Sequence, residues 1–485
     1  MLLRDYQNDA IDKLRASLRS GKRRPVIQAP TGAGKTVIAA AIIEMARAKG
    51  KRVLFCVPAL ELINQTVDRF ARNGILDVGV IQAQHELTDG RQPIQICSVQ
   101  TLARRQIPDA DLVIIDEAHV MFKLYDTWTT DPKWANVPFV GLSATPWQKG
   151  MGRIWDDLIV SVTTQELIDQ GHLSDFRVFA PSHPDLTGVK TVMGDYEAKG
   201  LGHAMDKPEL IADIVTTWQE RAAGLPTLCF AVNRVHAKHL QSQFDAAGIK
   251  TGYVDAYSTR EERNEVARDF ENGDITVVCN VGVLTTGVDW DVRCVILARP
   301  TRSEILYVQI IGRGLRTAPG KSDCIILDHS DTTLRLGLVT DIKHDSLDDG
   351  RIKAANEARK ERLPKECPKC AFVKPVKVHV CPSCGFKPEA FNKIETANGE
   401  LMEILRGGKK QKPTMLDKLG FYSQLLRYSR DKGYSDGWAY HSYRDRYGVG
   451  PSVKPMAALY VEPATEAWIK HRIIRRARAL QKAGQ

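Results

Sequence analysis

The sequence predicts an α/β protein with two parallel-sheet domains in tandem, followed by a small cysteine-rich module and a basic, mainly helical C-terminal domain. Three observations predict this architecture. Short apolar runs alternate with helical patterns through the first 340 of the 485 residues. Four cysteines cluster at 367–384. Residues 385–485 carry 19 Lys and Arg against 10 Asp and Glu, whereas the rest of the chain carries 49 against 48.

Each half of the first 340 residues contains about five predicted strands. They are PVIQA, RVLFCVP, IQICSV, LVIIDE and FVGLSAT, then TLCFAV, TGYVDA, ITVVCNV, CVILARP and CIILDH. Helical patterns such as 60–72 and 260–271 separate them. Strands that are apolar throughout and alternate with helices indicate parallel sheets covered on both faces. We place the domains at 1–172 and 173–340, a linker or exposed helix at 341–366, the cysteine module at 367–390 and the basic domain at 391–485.

The composition is that of an ordinary globular protein, with 43% hydrophobic and 26% charged residues. No apolar run approaches the roughly 18 residues that span a bilayer, and the start, MLLRDYQND, lacks the apolar core of a signal peptide. We therefore expect a cytoplasmic protein without membrane association, in which the ten cysteines do not form disulfides.

The stretch APTGAGKT, residues 29–36, follows the first predicted strand and opens a helix. In a phosphate-binding loop, backbone N–H groups of the turn and of the helix N-terminus hold phosphate oxygens, and Gly32 and Gly34 let that backbone approach closely. Lys35 is expected to reach the β- and γ-phosphates, and Thr36 to hold Mg²⁺. Ala29 stands where the full pattern has glycine.

Two further strands end in polar side chains. LVIIDEAH delivers Asp116 and Glu117 to the carboxyl end of a buried strand, where ligands bind in such sheets. We expect Asp116 to bind Mg²⁺ through water, and Glu117 to act as general base on the attacking water. GLSATPW ends with Ser143 and Thr145, whose hydroxyls could join the carboxylates.

Two arginines in the second half, Arg313 and Arg316, lie three residues apart in VQIIGRGLRTAPGK and are predicted to share a helix face. Arginine is suited to stabilising a phosphate that is being transferred. Because both are far in sequence from Lys35, they can act only if the two halves close over one nucleotide. That arrangement predicts a motor driven by nucleotide binding and hydrolysis.

As an ordered set, these motifs resemble a superfamily 2 helicase over nearly all of residues 1–340. The resemblance implies two RecA-like domains and ATP hydrolysis that depends on nucleic acid, and Ala29 is a common variant of the helicase loop. It also implies that VGVLTTGVDW and QIIGRGLR belong to the second domain's motifs. Further roles carried over are base reading by Gln7 beside Arg4, ribose contact by Asp289, water positioning by Gln309, and nucleic-acid contact by Pro58, Gln65, Thr101 and Asn233.

The order of helicase core, four-cysteine cluster and basic tail is similar to that of bacterial RadD-type DNA-repair helicases. The stretches SATPWQKGMGRIWDDLIV, TTQELIDQGHL and GWAYHSYRDRYG also resemble that group, of which this chain would be a compact, phage-borne relative. The resemblance implies a role in DNA repair or recombination, and a single-stranded DNA-binding protein with an acidic tail as partner.

The four clustered cysteines, Cys367, Cys370, Cys381 and Cys384, have the spacing C-x₂-C-x₁₀-C-x₂-C. Two Cys-x₂-Cys knuckles supply four thiolates for a tetrahedral Zn²⁺ and predict a zinc ribbon, with free thiols or an iron–sulfur cluster as the alternatives. Since four thiolates leave no open position, a catalytic zinc is not expected. The other six cysteines lie in apolar strands and are predicted to be buried core residues.

The basic tail carries aromatic residues among its arginines. We predict that most of these aromatics form the core of a small helical domain, and that the exposed basic residues bind nucleic acid or a partner's acidic segment. The final stretch, WIKHRIIRRARALQKAGQ, is predicted to be a basic helix.

Four functions fit these patterns. The first is an ATP-dependent DNA helicase or translocase acting on single-stranded or branched DNA, and the second is an RNA helicase with the same core. The third is the motor subunit of a restriction system, although nothing after residue 340 resembles a nuclease core. The fourth, an adaptor without ATPase activity, is disfavoured because the residues expected to bind and hydrolyse ATP are all intact.

Overall fold

A computed structural model describes residues 3–82, 85–192, 194–285, 290–350, 363–387, 414–452, 455–470 and 472. The chain divides into two compact units, Met1–Ala390 and Phe391–Gln485. The first contains both sheets and the cysteine module. Within the described residues, no helix is long and apolar enough to cross a bilayer.

The first sheet has seven parallel strands, in the order β3-β4-β2-β5-β6-β1-β7. They are β1 Pro25–Gln28, β2 Val53–Val57, β3 Val78–Ile81, β4 Ile94–Ser98, β5 Leu112–Asp116, β6 Phe139–Ser143 and β7 Asp157–Val160. The helices are α1 Asp5–Arg19, α2 Lys35–Arg47, α3 Leu62–Arg72, α4 Val99–Leu102, α5 Lys123–Trp128 and α6 Thr164–Asp169, with 3₁₀ turns at Pro132–Trp134 and Met151–Arg153. Because the central strands are buried on both faces, they read as continuous apolar runs.

The second sheet has six parallel strands, in the order β12-β13-β11-β14-β15-β8. They are β8 Asp175–Phe179, β11 Thr227–Phe230, β12 Thr251–Val254, β13 Val277–Asn280, β14 Cys294–Leu297 and β15 Asp323–Asp328. A hairpin, β9 Thr191–Val192 and β10 Asp195–Tyr196, follows β8. The helices are α7 Ala198–Met205, α8 Pro208–Ala222, α9 Arg234–Ala246, α10 Arg260–Asn272, α11 Glu304–Gly314 and α12 Thr332–Leu336.

All ten predicted strands lie in these two sheets, and the prediction of two parallel-sheet α/β domains is confirmed. The sequence did not predict β3, β7 and β8, each of which lies at the edge of its sheet. Strands β1, β5 and β6 are neighbours in the first sheet, with β6 between the other two. Since the carboxyl ends of parallel strands share one edge, the phosphate-loop stretch, Asp116 and Ser143 are brought together there.

The cysteine module packs on the edge of the second sheet. Its hairpin consists of β16 Lys365–Glu366 and β17 Val373–Lys374, which pair antiparallel. Phe372 forms an isolated antiparallel bridge with Phe179 of β8, and the N–H of Ala180 donates to the carbonyl of Ala371 at 2.9 Å. The module thus covers an edge that would otherwise be exposed for pairing with another chain.

The second unit contains α13 Met415–Asp431, α14 Asp436–Tyr447 and a helical stretch at 463–470. Its core includes Phe421, Tyr422 and Tyr443, whereas Tyr434 and Tyr440 are exposed. The predictions of a helical C-terminal region and of a largely aromatic core are confirmed. Most of the predicted basic terminal helix lies outside the described residues.

Candidate active site

The stretch APTGAGKT forms a tight turn between β1 and α2, and α2 begins at Lys35. Gly32 and Gly34 adopt φ values of +89° and +79°, a region that side chains disfavour. Space is also short, because a Cβ on Gly34 would lie 2.6 Å from Nε2 of Gln7, and one on Gly32 would lie 2.7 Å from Cδ2 of Leu173. The positive φ values therefore favour glycine at both positions, and a Cβ at either one would also displace the end of a neighbouring side chain.

The first turn of α1 is fastened to this loop. Nε2 of Gln7 and the hydroxyl of Tyr6 both donate to the carbonyl of Ala33, at 3.1 and 3.0 Å. Oε1 of Gln7 accepts from the backbone N–H of Arg4 at 3.0 Å, and the Arg4 guanidinium donates to the Tyr6 hydroxyl at 3.0 Å. Gln7 and Arg4 thus lie beside the loop, and their contact with an adenine stays a prediction.

Two carboxylates face the loop from the end of β5. Nζ of Lys35 lies 3.7 Å from Oε1 of Glu117, and both side chains are largely buried. Glu117 has a φ of +48°, which for a residue other than glycine costs about 1–3 kcal/mol and is typical of functional sites. Within the described residues, Oε2 of Glu117 is buried and has no hydrogen-bond partner. That oxygen lies 3.4 Å from Nδ1 of His119 and keeps its capacity to accept a hydrogen bond.

The two carboxylates have different acidities. Burial, and next the charge of Glu117, raise the pKa of Asp116 to about 6. Burial also acts to raise the pKa of Glu117, but nearby positive charge, that of Lys35 first, outweighs it and lowers that pKa. Environments that push two neighbouring pKa values apart are characteristic of acid–base sites. Glu117 is thus ionised at neutral pH and can act as a base.

Two oxygen-bearing side chains, those of Thr36 and Asp116, are suited to binding a divalent cation. Asp116 offers a carboxylate and Thr36 a hydroxyl, and Mg²⁺ prefers such oxygen ligands. The raised pKa of Asp116 indicates that this buried carboxylate gains little from nearby positive charge. A cation at this position would offset the cost of burying it.

His119 connects the carboxylate pair to both domains. Its Nδ1 lies 2.9 Å from Oγ of Ser143, and its Nε2 lies 3.1 Å from the amide nitrogen of Gln309. Because an amide nitrogen only donates, Nε2 of His119 accepts, and Nδ1 carries the hydrogen that is donated to Ser143. Burial lowers the pKa of His119 and favours this neutral state. No role was predicted for His119, although it is the last residue of the stretch LVIIDEAH.

The network also shows what Ser143 and Gln309 bond to, and the water-positioning role of Gln309 stays a prediction. Ser143 bonds to His119 and to the N–H of Thr145 rather than to the carboxylates. Gln309, for which a role in positioning water was predicted, bonds to His119 across the two domains. A bond from the second domain to the DEAH stretch makes the geometry of the site depend on how the domains are placed.

Helix α11 of the second domain packs directly on the phosphate loop. A Cβ on Gly312 would lie 2.8 Å from Cβ of Thr31, so the helix backbone itself touches the loop. Arg313 follows, is 7% exposed, and lies close enough for its charge to lower the pKa of Glu117. The helix that carries Arg313 is therefore packed against the phosphate loop.

The expectation that Arg313 and Arg316 share a helix face was wrong. Helix α11 ends at Gly314, and Arg316 lies beyond the C-cap residue Leu315, where it forms an antiparallel bridge with Leu173. At this end of the helix, Nζ of Lys321 donates to the carbonyl of Arg316 at 2.6 Å and also to that of Gly314. This lysine satisfies carbonyls that the helix end leaves without partners.

The remaining predicted contacts are placed as follows. Thr101 bonds to Oγ of Ser98 at 2.9 Å, and Asn233 caps α9 by accepting from the N–H of His236 at 2.9 Å. Gln65 lies on α3, with an Oε1 that is buried and has no partner among the described residues, and Pro58 directly follows β2. Asp289 lies outside the described residues. Thr101 and Asn233 thus have structural roles, and contact of these residues with nucleic acid stays a prediction.

Residues 338–350, which we call the cleft strap, cross from the second domain back to the first. The ring of His344 stacks on Trp147 at 4.7 Å, and its Nε2 lies 2.7 Å from Oε2 of Glu304 at the start of α11. Further along, the carbonyl of Asp348 accepts from the N–H of Gly152 at 2.8 Å. The first ten residues of the predicted linker or exposed helix therefore contain no helix and are docked on both domains, and 351–362 lie outside the described residues.

A cavity of about 80 Å³ lies beneath the cleft strap. Pro30, Trp147, Val308 and His344 are among the residues that line it, whereas Lys35 and Asp116 are not. It is too small for a nucleotide and lies beside the candidate active site.

The four clustered cysteines are arranged for a metal. Their sulfur atoms all lie within 4.8 Å of one another, and the Cys367–Cys384 and Cys370–Cys381 sulfur pairs are each 3.7 Å apart. Zinc–sulfur bonds of about 2.3 Å in a tetrahedron place sulfur atoms about 3.8 Å apart, so the cluster fits Zn²⁺. Burial acts to raise the pKa of Cys367, but backbone N–H groups and neighbouring thiols lower it to about 7, whereas burial and the neighbouring thiols raise the pKa of Cys370 to about 12. The fit to a metal therefore rests on the positions of the sulfur atoms.

Two family models match the two domains. The model described as "Type III restriction enzyme, res subunit" matches residues 1–148, and "Helicase conserved C-terminal domain" matches residues 206–318. A solved fragment of a provisionally assigned HsdR subunit of a type I restriction enzyme from Vibrio vulnificus YJ016 has a TM-score of 0.52 at 22% identity. It covers 71% of this chain and 66% of that chain, which is a likeness of fold.

Several curated relatives align over both domains. The "51.5 kDa protein" of a Lactococcus phage is 30% identical over 83% of this chain and 86% of its own length. IRC3 of Saccharomyces cerevisiae, provisionally named an ATP-dependent helicase, is 30% identical over 67% of this chain but only 51% of its own length. The "ATP-dependent DNA helicase uvsW" of phage T4 is 23% identical over 67% of this chain and 68% of its own length. The matches to both domains and the helicase relatives establish that this chain is a superfamily 2 helicase and a nucleic-acid-dependent ATPase.

Proposed function

We propose that this protein is an ATP-dependent DNA helicase or translocase of the RadD type that acts in DNA repair or recombination. The observation that carries the proposal is the hydrogen bond of Gln309, from the second domain, to His119 of the first, together with the close approach of Gly312 to Thr31 of the phosphate loop. Hydrolysis at such a site requires both domains to be in place, so ATP turnover can be converted into domain movement.

Nucleotide binding begins with a change of partner for Lys35. Its ammonium lies 3.7 Å from Glu117 and would move to the β- and γ-phosphates, while backbone N–H groups between Gly32 and Gly34 hold phosphate oxygens. Thr36 and Asp116 would hold Mg²⁺, which neutralises phosphate charge when it is bound. Gln7 and Arg4 would bind the base, and Asp289 the ribose.

Hydrolysis then depends on Glu117, which is no longer paired with Lys35 once the lysine has moved to the phosphates. Glu117 takes a proton from the attacking water as the bond between the γ-phosphorus and its bridging oxygen breaks. Arg313 and Arg316 stabilise the charge on the transferred group, and an arginine in this role is worth about 10³–10⁵ in rate. Gln309 holds the neutral His119, so the bonded network persists only while the second domain stays closed on the first.

The nucleic acid would lie across the carboxyl edges of the two sheets, against Pro58, Gln65, Thr101 and Asn233. The orphaned Oε1 of Gln65 is a buried acceptor that a ligand could satisfy. We propose single-stranded or branched DNA as substrate, a single-stranded DNA-binding protein as partner of the basic domain, and a cytoplasmic location. The domain limits of 1–172, 173–340, 367–390 and 391–485 belong to the same proposal.

Zinc would have a structural role. Cys367, Cys370, Cys381 and Cys384 would hold Zn²⁺, and the resulting zinc ribbon would be fixed on β8. Nη2 of the Arg221 guanidinium donates to the carbonyl of Cys370 at 3.0 Å, so one of the four cysteines is hydrogen-bonded to helix α8 of the second domain.

Steady-state ATPase measurements test the proposal. Rates are compared without nucleic acid and with single-stranded DNA, duplex DNA or RNA, with Lys35→Ala as the blank. Strong stimulation by DNA and not by RNA would support the proposal. Stimulation by RNA alone would identify an RNA helicase, and a rate that depends on Lys35 but ignores every nucleic acid would contradict both.

A second candidate is the motor subunit of a restriction system, which the description of the first-domain family model favours. Such a motor would respond to long duplex DNA, including closed circles without single-stranded regions. If closed-circular duplex DNA stimulates the ATPase as strongly as single-stranded DNA, or more strongly, the restriction-motor alternative is favoured.

A further inference from the structure

An exposed tyrosine lies on a rigid loop at the carboxyl edge of the second sheet. Tyr257 follows β12 and is 77% exposed, although aromatic side chains are usually buried. Its backbone N–H donates at 2.8 Å to Asp255, which is buried and also accepts from the N–H of Ser258 at 3.0 Å. The ring is therefore presented to solvent by a loop that its own hydrogen bonds hold in place.

An arginine covers one face of this ring. The guanidinium of Arg234, the first residue of α9, lies 4.6 Å from the Tyr257 ring centroid. Its Nε lies 2.6 Å from Oδ2 of Asp255, so the same carboxylate fixes both the loop and the arginine. Arg263 donates to the carbonyl of Asp255 at 3.1 Å and holds the loop from the side of α10. With 77% of the residue exposed, the other face of the ring is free for a ligand.

Two exposed cations lie near the ring, on the expected path of the nucleic acid. The Arg234 side chain is 55% exposed despite its ion pair, and Lys238, one turn along α9, is exposed as well. Asn233, a predicted nucleic-acid contact, directly precedes Arg234. Aromatic faces that stack on bases, next to cations that hold phosphates, are the usual components of single-strand binding sites.

We infer that Tyr257 is a stacking platform for an unpaired nucleobase, and that Arg234 and Lys238 bind the adjacent phosphates. This inference rests on the proposed function and names the feature of the substrate that the second domain recognises: a base that is not paired within a duplex. Because stacking reads the face of a base rather than its edge, this platform accepts any of the bases.

The test compares Tyr257→Ala on two strands of equal length, one of thymidines and one of abasic deoxyribose phosphates, with binding followed by fluorescence anisotropy. We expect Tyr257→Ala to weaken thymidine-strand binding about tenfold, which corresponds to about 1.4 kcal/mol, and to change abasic-strand binding less than twofold. Tyr257→Trp should retain thymidine-strand binding. Val235→Ala, which removes a neighbouring exposed apolar side chain, is the matched control and should bind both strands normally.

Each outcome has a defined meaning. Equal weakening on both strands would overturn the inference, because Tyr257 would then act through the loop or the phosphates. Unchanged binding of both strands would overturn it as well. Melting temperatures of the variants verify folding. If the wild-type chain binds neither strand and no nucleic acid stimulates its ATPase, the proposed function fails too. If only the Tyr257 effect is missing, the proposed function stands.

Discussion

The contact between α11 and the phosphate loop can be tested by adding one methyl group. In Gly312→Ala the new Cβ would lie 2.8 Å from Cβ of Thr31 and 3.0 Å from its Oγ1. Carbon atoms in favourable contact are about 3.5–4.0 Å apart, so helix and loop must separate by about 0.7 Å or more. The substitution thus acts as a wedge at the point where the second domain meets the nucleotide loop.

Separating α11 from the loop also moves two other residues of α11, Gln309 and Arg313, away from the first domain. The bond of Gln309 to His119 is 3.1 Å long, and a separation of this size would extend it to about 3.8 Å, beyond hydrogen-bond range. Arg313 would withdraw from the Glu117 site by a similar distance. Misplacing reacting groups by about 1 Å can cost about 10²-fold in rate. We expect kcat for nucleic-acid-stimulated ATP hydrolysis to fall about 10- to 100-fold.

Gly314→Ala provides a matched control two residues along the same helix. Its new Cβ would lie 2.5 Å from Sγ of Cys324 and 2.9 Å from Cγ2 of Val295, both within the core of the second domain. Overpacking of this kind costs about 1–3 kcal/mol of folding free energy. Gly314→Ala should therefore lower the melting temperature, whereas Gly312→Ala should lower kcat and leave the melting temperature nearly unchanged. If Gly312→Ala hydrolyses ATP within twofold of wild type, the closed contact is not part of the hydrolytic state.

Four further outcomes are expected. Glu117→Gln should bind ATP with near-normal affinity but hydrolyse it at least about 10²-fold more slowly, as measured by nucleotide binding and single-turnover assays. The pKa of Asp116 is raised to about 6, so below that pH protons should compete with Mg²⁺ for this carboxylate. The Mg²⁺ concentration that gives half-maximal ATPase activity should therefore rise as the pH falls from 6 to 5, and it should stay constant above pH 7. His344→Ala removes the stacked and hydrogen-bonded centre of the cleft strap and should raise KM for ATP several-fold, whereas Ser346→Ala, an exposed residue on the same segment, should not. Thiol titration of the native protein should find the six strand cysteines unreactive because they are buried, and metal chelation or Cys367→Ser should release zinc, measured by atomic absorption.

The central part of the fold could be predicted because burial leaves a clear pattern. Strands such as β2 and β5, buried on both faces, appear as unbroken apolar runs. Edge strands have no such pattern. Strand β8 begins with the exposed Asp175, β7 begins with the half-buried Asp157, and β3 is interrupted by Gly79, so none of the three reads as an apolar run.

The chemistry of the site could be predicted where one short stretch supplies it, as for Lys35 and Asp116. It could not be predicted where the partner is distant in sequence. Arg316 lies in a bridge with Leu173, 143 residues earlier in the chain, and the contact of His119 is with Gln309, 190 residues away. The cleft strap looked like a charged linker, because its contacts are a stacked ring and backbone hydrogen bonds, which leave no periodic pattern.

The position of the cysteine module indicates what a metal there would stabilise. A strand at the edge of a sheet has unpaired backbone groups, and Phe372 and Ala371 of the module pair with those at Phe179 and Ala180. Arg221 reaches the carbonyl of Cys370 and lies 4.4 Å from the ring centroid of Phe179, so the module, the edge strand and α8 share one set of contacts. A structural metal is worth about 10–16 kcal/mol in small zinc modules, far more than these few contacts supply. Chelation should therefore loosen the second sheet at β8 before it affects the C-terminal unit, and hydrogen exchange at Phe179 and Ala180 should rise first. If amide hydrogen exchange rises first in α13 or α14, the metal stabilises the C-terminal unit instead of β8.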